Sequence, residues 1–273
     1  MSLFRCPLCA APLEREDGAY RCPAGHSFDV AREGYVHLLP PNRKHSALPG
    51  DDRDMVLARR DFLSRGYYRP LLDAICHCLL SLPQASPVIL DAGCGEGYYT
   101  AGVWEALTNA GKSPRMAGTD ISKPALRTAG RRNREIEFAV ASSYRLPAAD
   151  GAADALLNCF SPLALAEFRR VLRPGGRFLY VVPGPRHLWE LKEVLYDQPY
   201  PNEEKETPYE GFRYREIVPV ESSAVIDSRE DLQNLFRMTP YAWKTPRAGA
   251  ERLAALESLE VRFSFRIHVF EKD

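Results

Sequence analysis

The sequence predicts an α/β fold, a Rossmann-like doubly wound sheet, carrying a small metal-binding module at its N-terminus. Three observations lead there. From Val88 onward, short β-rich runs alternate with helical stretches, the pattern of parallel strands joined by crossover helices. A glycine-rich segment, Gly93-Cys94-Gly95-Glu96-Gly97, stands between the first of those strands and the helix after it. Near the N-terminus, Cys6, Cys9, Cys22 and His26 fall into two close pairs.

Three units are expected: residues 1–40, a connector over 41–86, and the α/β unit over 87–273. The first is rich in Cys, Pro and Gly with short alternating apolar stretches. The connector opens with Pro40-Pro41-Asn42-Arg43-Lys44 and the turn-like Pro49-Gly50-Asp51-Asp52, then becomes two helices, Asp52 to Ser64 and Pro70 to Leu80. In the third unit Val88 to Asp91 is a buried strand and Tyr98 to Ala110 a helix. Arg115 to Thr119 is the second strand, followed by a helix over Pro124 to Arg134 with proline suited to its first turn. Glu137 to Ala141 and Ala153 to Asn158 are the third and fourth strands. A helix over Leu163 to Leu172 is stopped by Pro174-Gly175-Gly176, and Arg177 to Val182 is the fifth strand. Ser228-Arg229-Glu230-Asp231 resembles a capping box opening a helix toward Met238. Phe263, Phe265, Ile267 and Val269 alternate with Arg262, Ser264, Arg266 and His268, a half-buried final strand.

Composition narrows the classes. Of 273 residues, 45% are hydrophobic and 26% charged, enough for a buried core. The 36 Lys+Arg balance 36 Asp+Glu, so any nucleic-acid site must be a local patch. No run approaches the roughly 18 apolar residues of a membrane span, and Cys6 and Pro7 interrupt the start of the chain where an export signal needs an apolar core. Seven cysteines, three within the first 22 residues, then favour metal and free thiols over disulfides, and a reducing cytoplasm.

The glycine loop lies where a nucleotide-like ligand meets main chain, at the carboxyl end of the first strand. Side chains at 93 and 95 would obstruct that approach. The pattern is Gly-x-Gly-x-Gly, and the preceding Asp91 would repel a pyrophosphate but suits a ligand with a sulfonium and an amino group. Asp120 ends the second strand 23 residues beyond Gly97, where a carboxylate can accept both ribose hydroxyls. A tight turn with no ligand is the alternative. The stretch resembles motif I of the class I S-adenosylmethionine (SAM)-dependent methyltransferases, which implies a mixed seven-stranded sheet. Leu172 to Gly176 resembles the turn before their fifth strand, and Ala141-Ser142-Ser143 would lie near adenine. Cys94 reads as loop packing.

Cys6-x-x-Cys9 and Cys22-x-x-x-His26, 12 residues apart, supply four ligands on two turns, the spacing of a zinc ribbon. Four protein ligands leave no open position, so the metal is expected to be structural, stabilising a segment too small for a core of its own. His37 and His45 fall outside that spacing. Arg43-Lys44, Arg53, Arg59-Arg60, Arg65 and Arg69 could line a phosphate track with Tyr67 and Tyr68 as stacking surfaces, or merely form a solvated helix face. Residues 1–70 hold 11 Lys+Arg against nine Asp+Glu, a surplus too small to decide. Arg131, Arg132 and Arg134 read as the basic end of a helix, and Glu203 to Glu206 as a mobile loop.

Nearly the whole chain resembles the bacterial 23S rRNA (guanine-N1)-methyltransferases of the RlmA family. The resemblance rests on Cys-Pro-Leu-Cys at 6–9, Gly-His-Ser-Phe-Asp-Val-Ala at 25–31 and Glu-Gly-Tyr-Val-His-Leu-Leu at 33–39. It extends over Asp-Ala-Gly-Cys-Gly-Glu-Gly-Tyr-Tyr-Thr at 91–100, Pro-Gly-Pro-Arg-His-Leu at 183–188 and Met-Thr-Pro-Tyr-Ala-Trp at 238–243. It implies zinc at Cys6, Cys9, Cys22 and His26, and SAM contacts at Tyr68, Gly95, Glu96 and His187, so that the connector folds back over the cofactor. It also implies a homodimer and an RNA substrate, hairpin 35, with Gly95 to Tyr99 and Pro185-Arg186-His187 resembling the guanine-745 branch more than the guanine-748 branch. The chain departs by extra residues around Asn109 to Arg115 and by Ser161-Pro162 where relatives often have Ala-Pro.

Asn158, closing the fourth strand, is a candidate for orienting the guanine, with a strand-end hydrogen bond as its alternative. Cys159 is not needed as a nucleophile, because a ring nitrogen attacks directly. Two rivals stay open: a small-molecule methyltransferase with a closed apolar pocket, and a zinc-bearing RNA-binding protein on a non-catalytic SAM fold.

Overall fold

The computed structural model describes residues 2–40, 50–204 and 208–273. Arg43, Lys44 and His45 of the connector, and Lys205 and Glu206 of the acidic loop, lie outside the described residues. The N-terminal module is an antiparallel three-stranded sheet of β1 (Glu14–Glu16), β2 (Ala19–Arg21) and β3 (Ser27–Asp29). A fourth short strand, β4 (Tyr35–His37), leaves that module and joins the large sheet. The connector forms α1 (Arg53–Ser64) and α2 (Arg69–Leu80). Asp52 caps α1, its side chain accepting from Met55 N at 2.9 Å.

The α/β unit follows the expected alternation: β5 (Val88–Ala92), α3 (Tyr98–Asn109), β6 (Arg115–Asp120), α4 (Lys123–Arg132), β7 (Glu137–Val140), β8 (Ala153–Cys159), α5 (Leu165–Val171) and β9 (Leu172–Pro183). Then come α6 (Trp189–Leu195), β10 (Phe212–Ile226), α7 (Arg229–Arg237), α8 (Tyr241–Lys244), α9 (Arg247–Ala255) and β11 (Leu259–Lys272). Ser122 and Ser228 cap α4 and α7 through their side chains.

Among the described residues the large sheet has eight strands in the order β10-β11-β9-β8-β5-β6-β7-β4, one more than expected. The extra strand is β4, whose Tyr35, Val36 and His37 pair in parallel with Phe138, Ala139 and Val140. Its two leading residues are buried, which is why a chain segment expected in the zinc module contributes to the sheet instead. From β9 across to β4 the strands are parallel, whereas β11 runs antiparallel to both β9 and β10. Strand order reverses between β5 and β8, and the crevice at their carboxyl ends is where a doubly wound sheet takes its ligand.

The sequence reading gave no strand for β10. Its residues alternate charged and apolar, but Pro219 interrupts the run. As the edge strand it needs hydrogen bonds on one side only, so the proline opposite Arg266 is tolerated. The N-terminal module is docked by buried contacts. Phe4, Leu13 and Tyr20 pack in one apolar cluster with Leu90, Ala92 and Ala139 of the central strands. Glu137 collects three donors from the module: Ser2 Oγ, Leu3 N at 3.0 Å and Tyr20 OH at 3.1 Å. Arg5 N also donates to Pro147 O at 2.8 Å.

Candidate functional site

The metal centre is built by two knuckles. Ala10 turns back on Cys6 through N–H to O at 2.8 Å, with its own φ at 59°, and Gly25 does the same to Cys22 at 2.9 Å. The four donor atoms of Cys6, Cys9, Cys22 and His26 then lie within 4.8 Å of one another. Cys6 Sγ is 3.5 Å and Cys22 Sγ 3.3 Å from His26 Nδ1, and Cys9 Sγ is 3.7 Å from Cys22 Sγ. A tetrahedral Zn²⁺ with Zn–S near 2.3 Å spaces such donors about 3.5–3.8 Å apart, so the three thiols and imidazole fit that ion and leave no fifth position. His37 is on β4 and is not part of the group.

The second site lies at the carboxyl ends of β5 and β8, in a cleft of about 1810 Å³. Gly93, Gly95 and Gly97 all have positive φ, but for different reasons. A Cβ on Gly93 would fall 2.0 Å from Ser161 Oγ, and one on Gly97 would press on Ala129 at 3.0 Å. A Cβ on Gly95 would meet nothing nearer than Arg59 at 4.0 Å, so the space over Gly95 is what a ligand can use. Thus the expectation that both Gly93 and Gly95 keep a ligand's approach clear holds for Gly95, while Gly93 is bare to admit Ser161.

Two carboxylates flank the loop. Asp91 is buried, accepts from Thr100 Oγ1 at 2.6 Å through Oδ2, and has no partner at Oδ1 among the described residues. Burial, with the Asp120 charge adding to it, pushes its carboxyl up to about 7. Asp120 accepts from Gly95 N at 2.9 Å and Ser122 N at 2.8 Å, which fixes both its oxygens while leaving lone pairs toward the cleft. Burial raises its carboxyl as well, against those two backbone bonds.

Glu96 is 1% exposed and pairs with Arg132 of α4. Arg131 and Arg132 do close α4 with a basic last turn, as expected, while Arg134 lies just past the helix. Arg131 pairs with Glu33 at 3.1 Å and Arg134 donates to Arg32 O at 3.1 Å, so the three tie α4 to the glycine loop and to the N-terminal segment.

From the other side come Tyr68 and His187, both buried. His187 Nδ1 accepts from Ser264 N at 3.3 Å, which places the ring proton on Nε2. Nε2 faces Tyr68 OH at 3.3 Å and donates to it, leaving the phenolic proton free to point at a ligand. Desolvation, with nearby Lys192, holds the imidazole down at about 3, so it stays neutral. Met55, Arg59, Leu63 and Tyr68 all line the cleft, so the connector does fold over the glycine loop. Ser142, after β7, lines it too, its Oγ accepting from Tyr144 N at 3.3 Å.

Among the described residues of the connector, four of the five arginines are engaged by carboxylates. Arg59 pairs with Asp51 and donates to Met238 O at 3.1 Å, Arg65 pairs with Asp231 at 3.3 Å and Arg69 with Asp73 at 2.6 Å. Arg60 pairs with Asp61 at 2.7 Å, and the Tyr67 ring stacks on Phe62. Besides the paired Arg59 and Arg170, the cleft is lined by Arg5 of the N-terminal module, the exposed Arg145 and the exposed Lys244.

Asn158 takes its alternative role. It is fully buried, and Nδ2 donates to Ala92 O at 3.0 Å and Pro162 O at 3.4 Å, binding the end of β8 to the end of β5. The cleft is reached instead by the residues after it, Cys159, Phe160, Ser161 and Pro162. Burial holds the Cys159 thiol well above its ordinary range, so it rests as the neutral thiol. Exposed aromatics at the cleft, Tyr144, Phe160 and Tyr200, were not singled out from sequence. Their only signal there was that a large ring in a loop has no apolar face to join.

The residues present fit SAM: a bare main-chain bend at Gly95, an unpartnered carboxylate oxygen at Asp91 for an ammonium, Asp120 for hydroxyls and Tyr68 as a donor. Comparison with known proteins places the chain among methyltransferases. Residues 4–47 match the zinc-ribbon family model described as RlmA, N-terminal, and residues 89–176 match the one described as Methyltransferase domain. The chain is 37% identical to a protein of Micromonospora griseorubida provisionally named 23S rRNA (guanine-N(1)-)-methyltransferase, over 93% of this chain and 91% of that one. It is 42% identical to the 23S rRNA (guanine(748)-N(1))-methyltransferase of Streptomyces fradiae, over 70% of this chain and 67% of that one. A Bacillus subtilis protein with the same provisional name as the first is 32% identical, over 95% of this chain and 94% of that one.

Proposed function

The chain belongs to the 23S rRNA (guanine-N1)-methyltransferase family, and on that footing we propose that it methylates N1 of a guanine in hairpin 35 of 23S rRNA, guanine-745 first. Zn²⁺ at Cys6, Cys9, Cys22 and His26 holds the N-terminal module in its fold. The observation that carries the reading is the cleft itself. Arg5, Pro7 and Ala10 of the zinc module, Gly93 and Gly95 of the cofactor loop and Asp120 at the end of β6 line one continuous space. Pockets for a small ligand run to about 1,000 Å³ at most. A cleft of about 1810 Å³, edged by Arg5, Arg145 and Lys244, has room for a nucleotide beside the cofactor and cations for its phosphates. The closed apolar pocket of a small-molecule methyltransferase is not what these residues make.

SAM supplies an electrophilic methyl group on a sulfonium. N1 of neutral guanine carries a proton that the base must lose to accept a methyl group, so each turnover would release one proton and leave SAM as its thioether. The protein's part is placement. Asp91, Asp120, Tyr68 and Glu96 would hold the cofactor end, and the base, splayed from its hairpin, would be positioned against it. The protein works in the cytoplasm as a homodimer, as its resemblance to the family implies; no helix among the described residues is long and apolar enough to cross a membrane.

A second reading, guanine-748, is favoured by the name of the Streptomyces fradiae relative. Primer extension on 23S rRNA from cells with and without the gene separates the two, because a methyl on the Watson–Crick edge stops reverse transcriptase. A gene-dependent stop at guanine-745 is expected; a stop at 748 selects the second reading, and no stop in 23S rRNA overturns both.

A further inference from the structure

Directly after β8 the chain does something costly. Phe160 takes a φ of 52°, a left-handed conformation that a bulky L residue rarely adopts. The distortion is held by Phe160 N, which donates to Val181 O at 3.1 Å. Its result is to leave the ring 46% exposed in the cleft rather than packed in the core. Strain kept at a cleft-facing residue is a pointer to ligand contact.

Beside it stands a second, independent sign. Tyr99, on the first turn of α3, is 8% exposed and lines the same cleft, and its hydroxyl has no partner among the described residues. A buried phenol normally finds a hydrogen-bond partner, since desolvating it unpaired is unfavourable. Its ring centroid is 6.4 Å from that of Phe160. Phe160 in turn is 5.7 Å from Phe265, which touches both the Tyr68 and His187 rings at 4.9 and 4.5 Å. The pair therefore adjoins the Tyr68 and His187 wall of the cofactor site without being part of it.

We propose that Phe160 and Tyr99 form the subsite for the acceptor base, the exposed Phe160 ring stacking on the purine and the Tyr99 hydroxyl donating to its carbonyl oxygen. This rests on the guanine reading above. Loss of the N1 proton shifts negative charge onto the guanine carbonyl, and a preorganised donor there stabilises it as it grows. Burial and the neighbouring Cys159 and Tyr68 hold the Tyr99 phenol well above its ordinary range, so it remains a donor at neutral pH. Stacking on Phe160 is indifferent to base identity, and the donor selects a keto purine over adenine.

The test uses the full-length protein, radiolabelled SAM and a transcript of the hairpin. Phe160→Gly removes the ring while relieving the left-handed strain, so its melting temperature should hold, and Phe160→Tyr keeps a stacking face. Phe160→Gly is expected to raise KM for RNA at least tenfold, with Phe160→Tyr near wild type. Tyr99→Phe is expected to lower kcat about tenfold with KM for RNA little changed, and SAM affinity by calorimetry within twofold in every variant. If Phe160→Gly methylates as well as Phe160→Tyr, or if Tyr99→Phe weakens SAM binding tenfold or leaves kcat intact, the subsite is wrong. A wild-type protein that binds SAM yet methylates no guanine in the transcript would instead overturn the reading beneath it.

Discussion

Thr100 donates from Oγ1 to Asp91 Oδ2 at 2.6 Å, and this bond leaves the second carboxylate oxygen, Oδ1, buried with no partner among the described residues. Because burial raises the Asp91 carboxyl to about 7, unliganded protein holds a proton there through mildly acidic conditions. A folded-state value above the unfolded one means the stability it confers is full below about pH 4 and is lost as pH rises through about 7.

A cationic ligand reverses that preference, since it binds the ionised form. SAM affinity is therefore expected to improve as pH rises through about 7 and to weaken by up to tenfold per unit below it. Titration calorimetry at several pH values checks this. Asp91→Asn should flatten the profile at the weak-binding level, and a wild-type profile already flat would contradict the assignment.

Gly93→Ala and Gly95→Ala should fail in different ways. The first drives a methyl group into Ser161, 2.0 Å away, and should lower stability by about 1–3 kcal/mol. The second meets open space, so its cost is the left-handed backbone, about 1 kcal/mol, while the methyl occupies ligand volume. Denaturant melts with SAM titrations distinguish them: Gly95→Ala should fold and bind poorly, and Gly93→Ala should regain stability when combined with Ser161→Gly, which clears both the Oγ and the Cβ that the new methyl meets.

Arg132→Met strands the Glu96 carboxylate, 1% exposed, and should cost about 3 kcal/mol in urea unfolding. Pairing it with Glu96→Gln should recover part of that loss. Equal losses in the single and double variants would show that the two side chains do not interact.

Chelating zinc, or Cys22→Ser, should end methylation of RNA while leaving SAM binding largely in place, because the ligands do not touch the glycine loop. The docked module shares an apolar cluster with Leu90 and Ala139, so chelation should also lower the melting temperature of the whole chain. Scanning calorimetry with and without chelator reads both; an unchanged melting curve would detach the module from the core.

Legibility followed chain distance. The zinc ligands and the glycine loop are local patterns, and the structure brings Cys6, Cys9, Cys22 and His26 together and keeps Asp91 and Asp120 at the loop. Boundaries of the helices and strands from α1 to β8 were right to within one or two residues for the same reason, hydrophobic period plus a cap or a proline. What sequence hid was long-range. Glu137 looks like any strand-opening acid until Ser2, Leu3 and Tyr20 arrive from more than a hundred residues away. Arg59 and Arg65 read as phosphate contacts or, better supported by charge alone, as a solvated helix face; their pairing was hidden because Asp231 is remote in sequence and Asp51 gains its meaning only when α1 folds back. Asn158 and Phe160 were only two positions apart, and periodicity could not say which one a distorted strand end would turn toward the cleft. Strand β10 was lost to Pro219, a residue whose tolerance depends on lying at an edge.

The short strand Tyr35–His37 covers the outer side of β7, whose Phe138, Ala139 and Val140 are buried. A fragment trimmed to begin after the zinc ribbon and that strand would keep every cofactor-loop residue, yet it would leave an apolar ribbon of backbone without its neighbour. Such borders recruit strands from other molecules, so the trimmed enzyme is expected to precipitate or form mixed oligomers during purification. Anyone seeking a minimal catalytic core should keep residues 33–40 even when discarding the metal knuckles.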